Sequence, residues 1–288
     1  MLRHTGRVDD PLLGARLKVE RALQHLDSLR EQTRTFTESD PYRTVIEADP
    51  ETGDQVVRIR FTHAERRIPR RLGLVAGDAI HNLRSALDHL TWQLAVLGTG
   101  PGRRTQFPLF DDPNEYRRNE AQLLEGIAKG HRARIETLQP YHVKALVAVG
   151  GGLSGLHDPL VTNLSLMPLG RLDNTDKHRL LLPIIGIAAW SEPKFEGVKH
   201  VTGTYPGSWV RMDDGAELFR ITEWELLPGT TNVKVEHEPT YTILFGDPEF
   251  VVANLWSDRD KSAVSAADLF MTADRVLGII DSFAPDFA

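Results

Sequence analysis

Four side chains that could move a proton or bind a charged group lie within one short stretch of this sequence. Arg84 and His89 form an Arg-x-x-x-x-His pattern, His81 lies three residues before Arg84, and Asp88 lies four residues after it. Residues three and four apart are neighbours on a helix, so His81, Arg84 and Asp88 would form a ladder. A carboxylate orients an arginine, and histidine transfers protons near neutral pH. The pattern indicates either an acid/base site or a buried polar network between helices.

A second polar cluster lies further along the chain, and we predict that it occupies a loop leading into a series of strands. Its members are Asn174, Asp176, Lys177 and His178. Side chains on such a loop can converge on a neighbouring site. Asp-x-His is compatible with a pair of metal ligands, which a histidine of the first cluster could complete; alternatively, the loop hydrogen-bonds the helix. Both interpretations predict one polar site that contains Arg84, Asp88, His89, Asp176 and His178.

The segment that carries the first cluster runs from Ala76 to Leu97 and reads AGDAIHNLRSALDHLTWQLAVL. At about 100° per residue, its alanines, leucines and isoleucine fall on one half of a helix and its polar residues on the other. This pattern predicts a core helix that ends at Gly98. Its polar face has too many titratable groups for an ordinary solvent-facing surface, and we therefore expect the site there.

The remaining periodicity predicts an α+β fold. Amphipathic helices are expected from about Pro11 to Phe36 and from Ser265 to Phe283, with shorter ones at 112–128 and 133–138. Alternating apolar residues predict a β-hairpin near residues 43–62, which needs a sheet further along the chain to pack on, and several antiparallel strands from about Leu180 to Trp256. We expect a mainly helical part, 1–178, and a sheet part with a closing helix, 179–288, packed as one unit.

A glycine-rich string reads Gly150-x-Gly152-x-x-Gly155, the letter pattern of a dinucleotide-binding loop. That loop must open a helix, and His157-Asp158-Pro159 interrupts such a helix within a turn. We therefore predict an ordinary glycine-rich loop and no cofactor. Asp158-Pro159 would begin a new short helix that ends at Pro168.

Composition limits the classes of function. The 288 residues carry a formal net charge of −6, which argues against a broad nucleic-acid surface. The chain has no cysteine, so disulfides, thiolate zinc sites and cysteine nucleophiles are excluded. No apolar run is long enough for a membrane span, and the amino terminus has no signal-peptide core, so we expect a cytoplasmic protein without a membrane partner.

At its two polar clusters the chain resembles a widespread set of bacterial proteins that carry a helix like GDAIHNLRSALDHL and a later segment like LDNTDKHR. The resemblance covers about Leu72 to Pro183 and brings no established activity with it. The spacing of Arg84 and His89 also resembles the Arg-x(4 to 6)-His motif of HEPN ribonuclease domains, all-helical units that cleave RNA without metal, usually as dimers.

The HEPN resemblance implies that His89 is the general acid/base, that Arg84 stabilises the phosphate, and that a ribose 2′-hydroxyl attacks that phosphate. The residues that would orient this pair are Asp88, His81 and either Lys177 or His178. Two other functions stay open. One is a non-catalytic, homodimeric binding or assembly module with a structural polar network, and the other is a hydrolase with a His/carboxylate metal site.

Overall fold

The computed structural model describes residues 10–39, 41–62, 68–142, 166–189, 194–204, 214–230, 234–236, 240–246 and 263–288. The fold is α+β, as the periodicity predicts. Two compact units interleave along the chain. The helical unit takes the described parts of Met1–Leu29, Leu74–Leu181 and Ala266–Ala288, and the sheet unit takes those of Arg30–Gly73 and Leu182–Ser265.

Six helices lie wholly within the described residues. They are α1 (Leu13–Glu38), α2 (Arg71–Leu97), α3 (Pro113–Leu123), α4 (Lys129–Thr137), α5 (Met167–His178) and α6 (Ala266–Phe283), after which Ala284–Phe287 forms a 3₁₀ turn. Helix α2 is the predicted core helix, since its apolar stripe, including Ile80, Leu83 and Leu87, is fully buried. None of the described helices combines the length and apolar character that crossing a membrane requires.

The predicted bounds of α1 and α6 agree with the structure to within two residues, whereas those of the short helices differ. Asp112 caps α3, since its side chain accepts a hydrogen bond from the backbone N–H of Asn114 at 2.7 Å and Pro113 follows it. However, α3 ends at Leu123 and α4 already begins at Lys129. The predicted glycine-rich loop and the helix expected at Asp158 lie outside the described residues.

The loop predicted around residue 176 is wrong, because Met167–His178 form helix α5. Proline is tolerated in the first helical turn, where its missing N–H has no partner to lose, so Pro168 helps to begin this helix. Leu169, Leu172 and Asp173 are buried at spacings of three and four residues. The second polar cluster therefore lies on a helix with a defined buried face.

The sheet unit contains antiparallel pairs of short strands. A four-stranded sheet has the order β1 (Tyr42–Ala48), β2 (Gln55–Phe61), β6 (Glu217–Leu226), β5 (Val198–Thr204). A three-stranded sheet has the order β3 (Leu182–Ala189), β8 (Thr240–Gly246), β9 (Ala263–Ser265), and β4 (Lys194–Glu196) pairs with β7 (Lys234–Glu236). The hairpin and its packing on a later strand are confirmed, since β2 pairs with β6. The predicted boundary at residue 178 therefore does not separate the two units. The hairpin lies before this residue but belongs to the sheet unit, and Ala266–Ala288 lie after it but belong to the helical unit.

Arg220 on β6 joins that strand to the hairpin turn. Its guanidinium donates to Asp49 and Asp54 of the turn, each at 3.0 Å, and to Glu217 at 2.7 Å. The hydrogen bond from Arg220, followed by two backbone N–H groups of the turn, lowers the pKa of Asp49 to about 2. The turn also needs Gly53, whose φ of 79° disfavours any side chain.

We expect this contact to make unfolding depend on pH in the acid range. A carboxylate whose pKa is lowered by folding stabilises the folded state above its ordinary pKa of 3.8, and this contribution is lost as pH falls through about 2. Asp49→Asn should therefore be less stable than the parent chain above about pH 4, and the difference should disappear towards pH 2. Urea unfolding of both chains across this range measures the effect; a pH-independent difference would contradict it.

Candidate acid/base site on the central helix

Helices α1 and α5 flank the polar face of α2 within the helical unit. A Cβ atom at Gly14 of α1 would lie 3.0 Å from Nδ1 of His89, and His25 of α1 lies 4.0 Å from Asp78. On the other side, His81 contacts Asp173 of α5. Residue numbers rise along each flanking helix as they fall along α2, so both helices run antiparallel to it.

Arg84 and Asp88 form a clamp on the backbone of Phe107. Nη2 of Arg84 donates to the carbonyl oxygen of Phe107 at 2.6 Å and lies 3.1 Å from Oδ1 of Asp88. The same Oδ1 accepts a hydrogen bond from the N–H of Phe107 at 2.9 Å. Arg84 is only 9% exposed, and its buried Nη1 has no hydrogen-bond partner among the described residues. The guanidinium therefore binds groups of the protein itself, the carbonyl of Phe107 and the carboxylate of Asp88.

A buried glutamine holds the chain segment that follows Phe107. The side chain of Gln139 donates to the carbonyl oxygen of Pro108 at 2.9 Å and accepts from the N–H of Phe110 at 3.2 Å. Backbone groups buried away from water need such partners. The extended segment 107–110 is therefore fastened by α2 at one end and by Gln139 at the other.

Burial raises the pKa of Asp88 against the opposing effects of Arg84 and the N–H of Phe107. The pair is thus a partly desolvated ion pair, whose net contribution is small when both partners are present. Removing only one of the two side chains is strongly destabilising, because the remaining charge is then left without its partner.

The second contact pairs a buried carboxylate with a half-exposed imidazole and a half-exposed ammonium group. Asp173 is 4% exposed; its Oδ1 lies 3.1 Å from Nδ1 of His81, and its Oδ2 lies 2.6 Å from Nζ of Lys177. The His81 side chain is 54% exposed, and its Nε2 has no hydrogen-bond partner among the described residues. A carboxylate that accepts from Nδ1–H leaves the lone pair of a neutral imidazole on Nε2, ready to take a proton.

Close approach of α2 and α5 depends on Gly77. A Cβ atom at this position would overlap with the carboxylate of Asp176. Glycine within a helix costs about 0.5–1 kcal/mol relative to alanine, so its presence here has a steric reason. Burial, with the nearby carboxylates of Asp78 and Asp173, raises the pKa of Asp176.

The structure brings some of the predicted site residues together and leaves others apart. Arg84 pairs with Asp88, and His81 and Lys177 meet at Asp173. Arg84 and His89, five residues apart on α2, point about 140° apart around its axis. Among the described residues no hydrogen bond or ion pair joins them, and none joins Asn174 or His178 to the ladder of α2.

Asp173 is the site residue that sequence reasoning missed, although its signal is present. If residues 167–178 are placed on a helix, Asp173 follows Leu169 by four positions and shares the apolar stripe. A carboxylate on an apolar stripe needs a cationic partner, and Lys177 lies one turn away. Reading this stretch as a loop removed the periodicity that would have identified it.

No three His, Asp or Glu side chains within the described part of the chain are arranged to hold a metal ion. Comparison of this chain with protein-family models, with curated proteins and with solved structures produced no match. The resemblances drawn from the two polar clusters therefore stay predictions. Functional inference depends on the site itself.

Proposed function

We propose that this chain is a metal-independent RNA-cleaving enzyme and that His81 is its general base. The observation that supports the proposal is the buried carboxylate of Asp173, which holds Nδ1 of a half-exposed imidazole. This arrangement sets the ring orientation and the tautomer, which are the two requirements for proton transfer at Nε2.

In the proposed reaction the ribose 2′-hydroxyl attacks the adjacent phosphorus. Nε2 of His81 takes the hydroxyl proton as the O2′–P bond forms and the P–O5′ bond breaks. The departing O5′ takes a proton from water, and the proton held by His81 returns to the solvent, so the products are a 2′,3′-cyclic phosphate and a free 5′-hydroxyl. We assign to Lys177, whose side chain is half exposed beside Asp173, the contact with a phosphate oxygen.

This proposal changes the role that the HEPN resemblance implies for Arg84. A phosphate-binding guanidinium must present its N–H groups to substrate, whereas Arg84 is buried and donates to Phe107. We therefore assign Arg84 and Asp88 a structural role. His89 is exposed on α2, and this proposal assigns it no role in the reaction.

The test is cleavage of a single-stranded RNA oligonucleotide by the purified chain in the presence of a chelator. We expect cleavage of RNA but not of DNA of the same sequence, because DNA lacks the 2′-hydroxyl nucleophile. His81→Ala should reduce the rate by about 10²–10⁴-fold, the usual contribution of a positioned acid/base group. His178→Ala, a change to an exposed histidine on α5, is the control and should cleave like the parent chain. Equal rates for the His81 and His178 variants would refute the proposal.

The polar contacts also favour a second candidate function, the homodimeric binding or assembly module. Arg84, Asp88, His81 and Lys177 each have at least one partner within the fold, as members of a structural network do. In that case neither RNA cleavage nor its loss in the His81 variant would be observed. His81→Ala would then change only the free energy of unfolding.

A further inference from the structure

The half of α5 that faces away from α2 carries cationic and amide side chains and no carboxylate. Asp173 contacts α2 and marks the inner side of the helix. Relative to it, Lys177, Asn174 and Arg171 point about 40°, 100° and 160° around the axis at 100° per residue. All three are exposed, and the other carboxylate of α5, Asp176, also lies against α2. Lys177, Asn174 and Arg171 thus form an outer ridge that begins beside the candidate site and crosses α5.

The two cationic ends of the outer ridge are each held by one carboxylate. Nζ of Lys177 lies 2.6 Å from Asp173, and Nη2 of Arg171 donates to Oδ2 of Asp111 at 2.5 Å. The Lys177 side chain is 52% exposed and that of Arg171 is 49% exposed. An ammonium has three N–H donors and a guanidinium five, so contact with one carboxylate occupies only part of either group. Each cation is therefore positioned by the fold and still presented to solvent.

Asn174 lies between these two cations. Its exposed side chain has no hydrogen-bond partner among the described residues. A side-chain amide donates from its nitrogen and accepts at its oxygen, so it can bind a phosphate oxygen or a sugar hydroxyl. The outer ridge therefore presents three successive polar groups that suit the backbone of a nucleic acid.

The outer ridge is also fixed relative to α2. Asp111 directly follows the extended segment 107–110, which is fastened at both ends. A Cβ atom at Gly170 would lie 3.6 Å from the Cβ of Leu109, so α5 packs against this segment just before Arg171. His81 and the outer ridge are thus held by one set of contacts within the helical unit.

We propose that the outer ridge of α5 binds the sugar-phosphate backbone of a single-stranded RNA that continues from His81 across this helix. The inference rests on the proposed function. Charge complementarity supports this occupant, because a polyanion meets two half-exposed cations on a surface of α5 without carboxylates. A strip of this width is also compatible with the net charge of −6, which argues only against a broad nucleic-acid surface.

The direction of the outer ridge defines which residues take part. From Lys177 it runs towards the amino-terminal end of α5, whereas His178 lies at the carboxyl end, beyond Lys177. His178 is therefore not a member. Contacts with phosphate and sugar position a strand without reading its bases, so we expect the outer ridge to favour longer RNA without selecting its sequence.

Binding of single-stranded DNA tests the outer ridge without reference to activity, because DNA has the same phosphates but lacks the 2′-hydroxyl nucleophile. Arg171→Gln should weaken binding and lower the slope of log affinity against log salt by about 0.7, the value for one phosphate contact on a single strand. Arg21→Gln, the same change at an exposed arginine of α1, is the matched control and should bind like the parent chain. An exposed ion pair contributes little to stability, so the Arg171 variant should stay folded.

The same slope for Arg171→Gln as for the parent chain, or no binding by the parent chain, would overturn the outer ridge as a binding surface.

Cleavage of RNA of different lengths tests whether the outer ridge serves the same site. A dinucleotide is compared with the same dinucleotide extended by several nucleotides on its 5′ or its 3′ side. One of the two extensions should raise kcat/KM of the parent chain about tenfold, as expected for one hydrogen bond to a charged group. Arg171→Gln and Asn174→Ala should lose most of this gain, whereas Arg21→Gln should keep it.

A full gain in the Arg171 variant would overturn the outer ridge and leave the proposed function intact. Conversely, DNA binding that depends on Arg171 in a chain that cleaves no RNA would refute the proposed function and leave the outer ridge supported.

Discussion

Arg84→Ala is expected to lower the free energy of unfolding by about 3–5 kcal/mol. The substitution leaves the partly desolvated carboxylate of Asp88 without its cation and the carbonyl of Phe107 without its 2.6 Å donor. Both losses act in the same direction, because a buried polar group without a partner keeps its full desolvation penalty. Urea or thermal unfolding measures the change, and Arg21→Ala on the exposed side of α1 is a control that should change stability little.

The pair can also be examined by a double-mutant cycle. Arg84→Met and Asp88→Leu together should cost less than the sum of the two single changes, because the double variant buries no unpaired charge. Additive costs would contradict the clamp. If the Arg84→Ala chain is fully active at a low temperature at which it is folded, the structural role of Arg84 is supported. If the folded variant cleaves no RNA, Arg84 instead has the phosphate-binding role.

Asp173→Asn is expected to reduce kcat for RNA cleavage by about 10²-fold with little change in KM. Asparagine has nearly the same shape, but its amide nitrogen can donate to Nδ1 of His81 and so favour the tautomer that carries its proton on Nε2. In that tautomer Nε2 cannot accept the 2′-hydroxyl proton. Steady-state kinetics separates this effect from a loss of substrate binding, which would raise KM instead.

The matched control for Asp173→Asn is Asp78→Asn, the same chemical change at an exposed carboxylate one turn from His81 on α2. It should leave kcat within a few-fold of the parent chain. Unfolding curves for both variants show how much folded protein each assay contains. A fall in kcat that matched the loss of folded protein would assign Asp173 to stability alone.

Periodicity explains how much of the fold could be predicted. Helices α1, α2 and α6 have long amphipathic repeats, and burial of one stripe determines both their existence and their orientation. The Arg84–Asp88 pair was also predictable, because a spacing of four residues makes contact a local property of the helix. The predicted bounds of the short helices α3 and α4 were less accurate, since the ends of a helix depend on its caps and on neighbouring segments.

The contacts that define the candidate site were not predictable in the same way. The partner of Arg84 is the backbone of Phe107. Nearly every residue has a backbone carbonyl and N–H, so the sequence does not indicate which of them a side chain binds. Asp173 was hidden because Pro168 was interpreted as the end of one helix when it begins another. The contact of Arg84 with Phe107 and the burial of Asp173 both depend on how segments that are distant in the sequence pack together.

The sequence by itself determined that α2 is a buried helix with a polar face, that Arg84 and Asp88 are neighbours on it, and that disulfide and thiolate chemistry are excluded. These properties follow from local spacing and from composition. Only the tertiary structure decided that Arg84 is directed into the fold and that His81 is held by Asp173 of α5. Packing two helices against α2 assigns each of its polar side chains a different neighbour, and periodicity within one helix carries no information about that assignment.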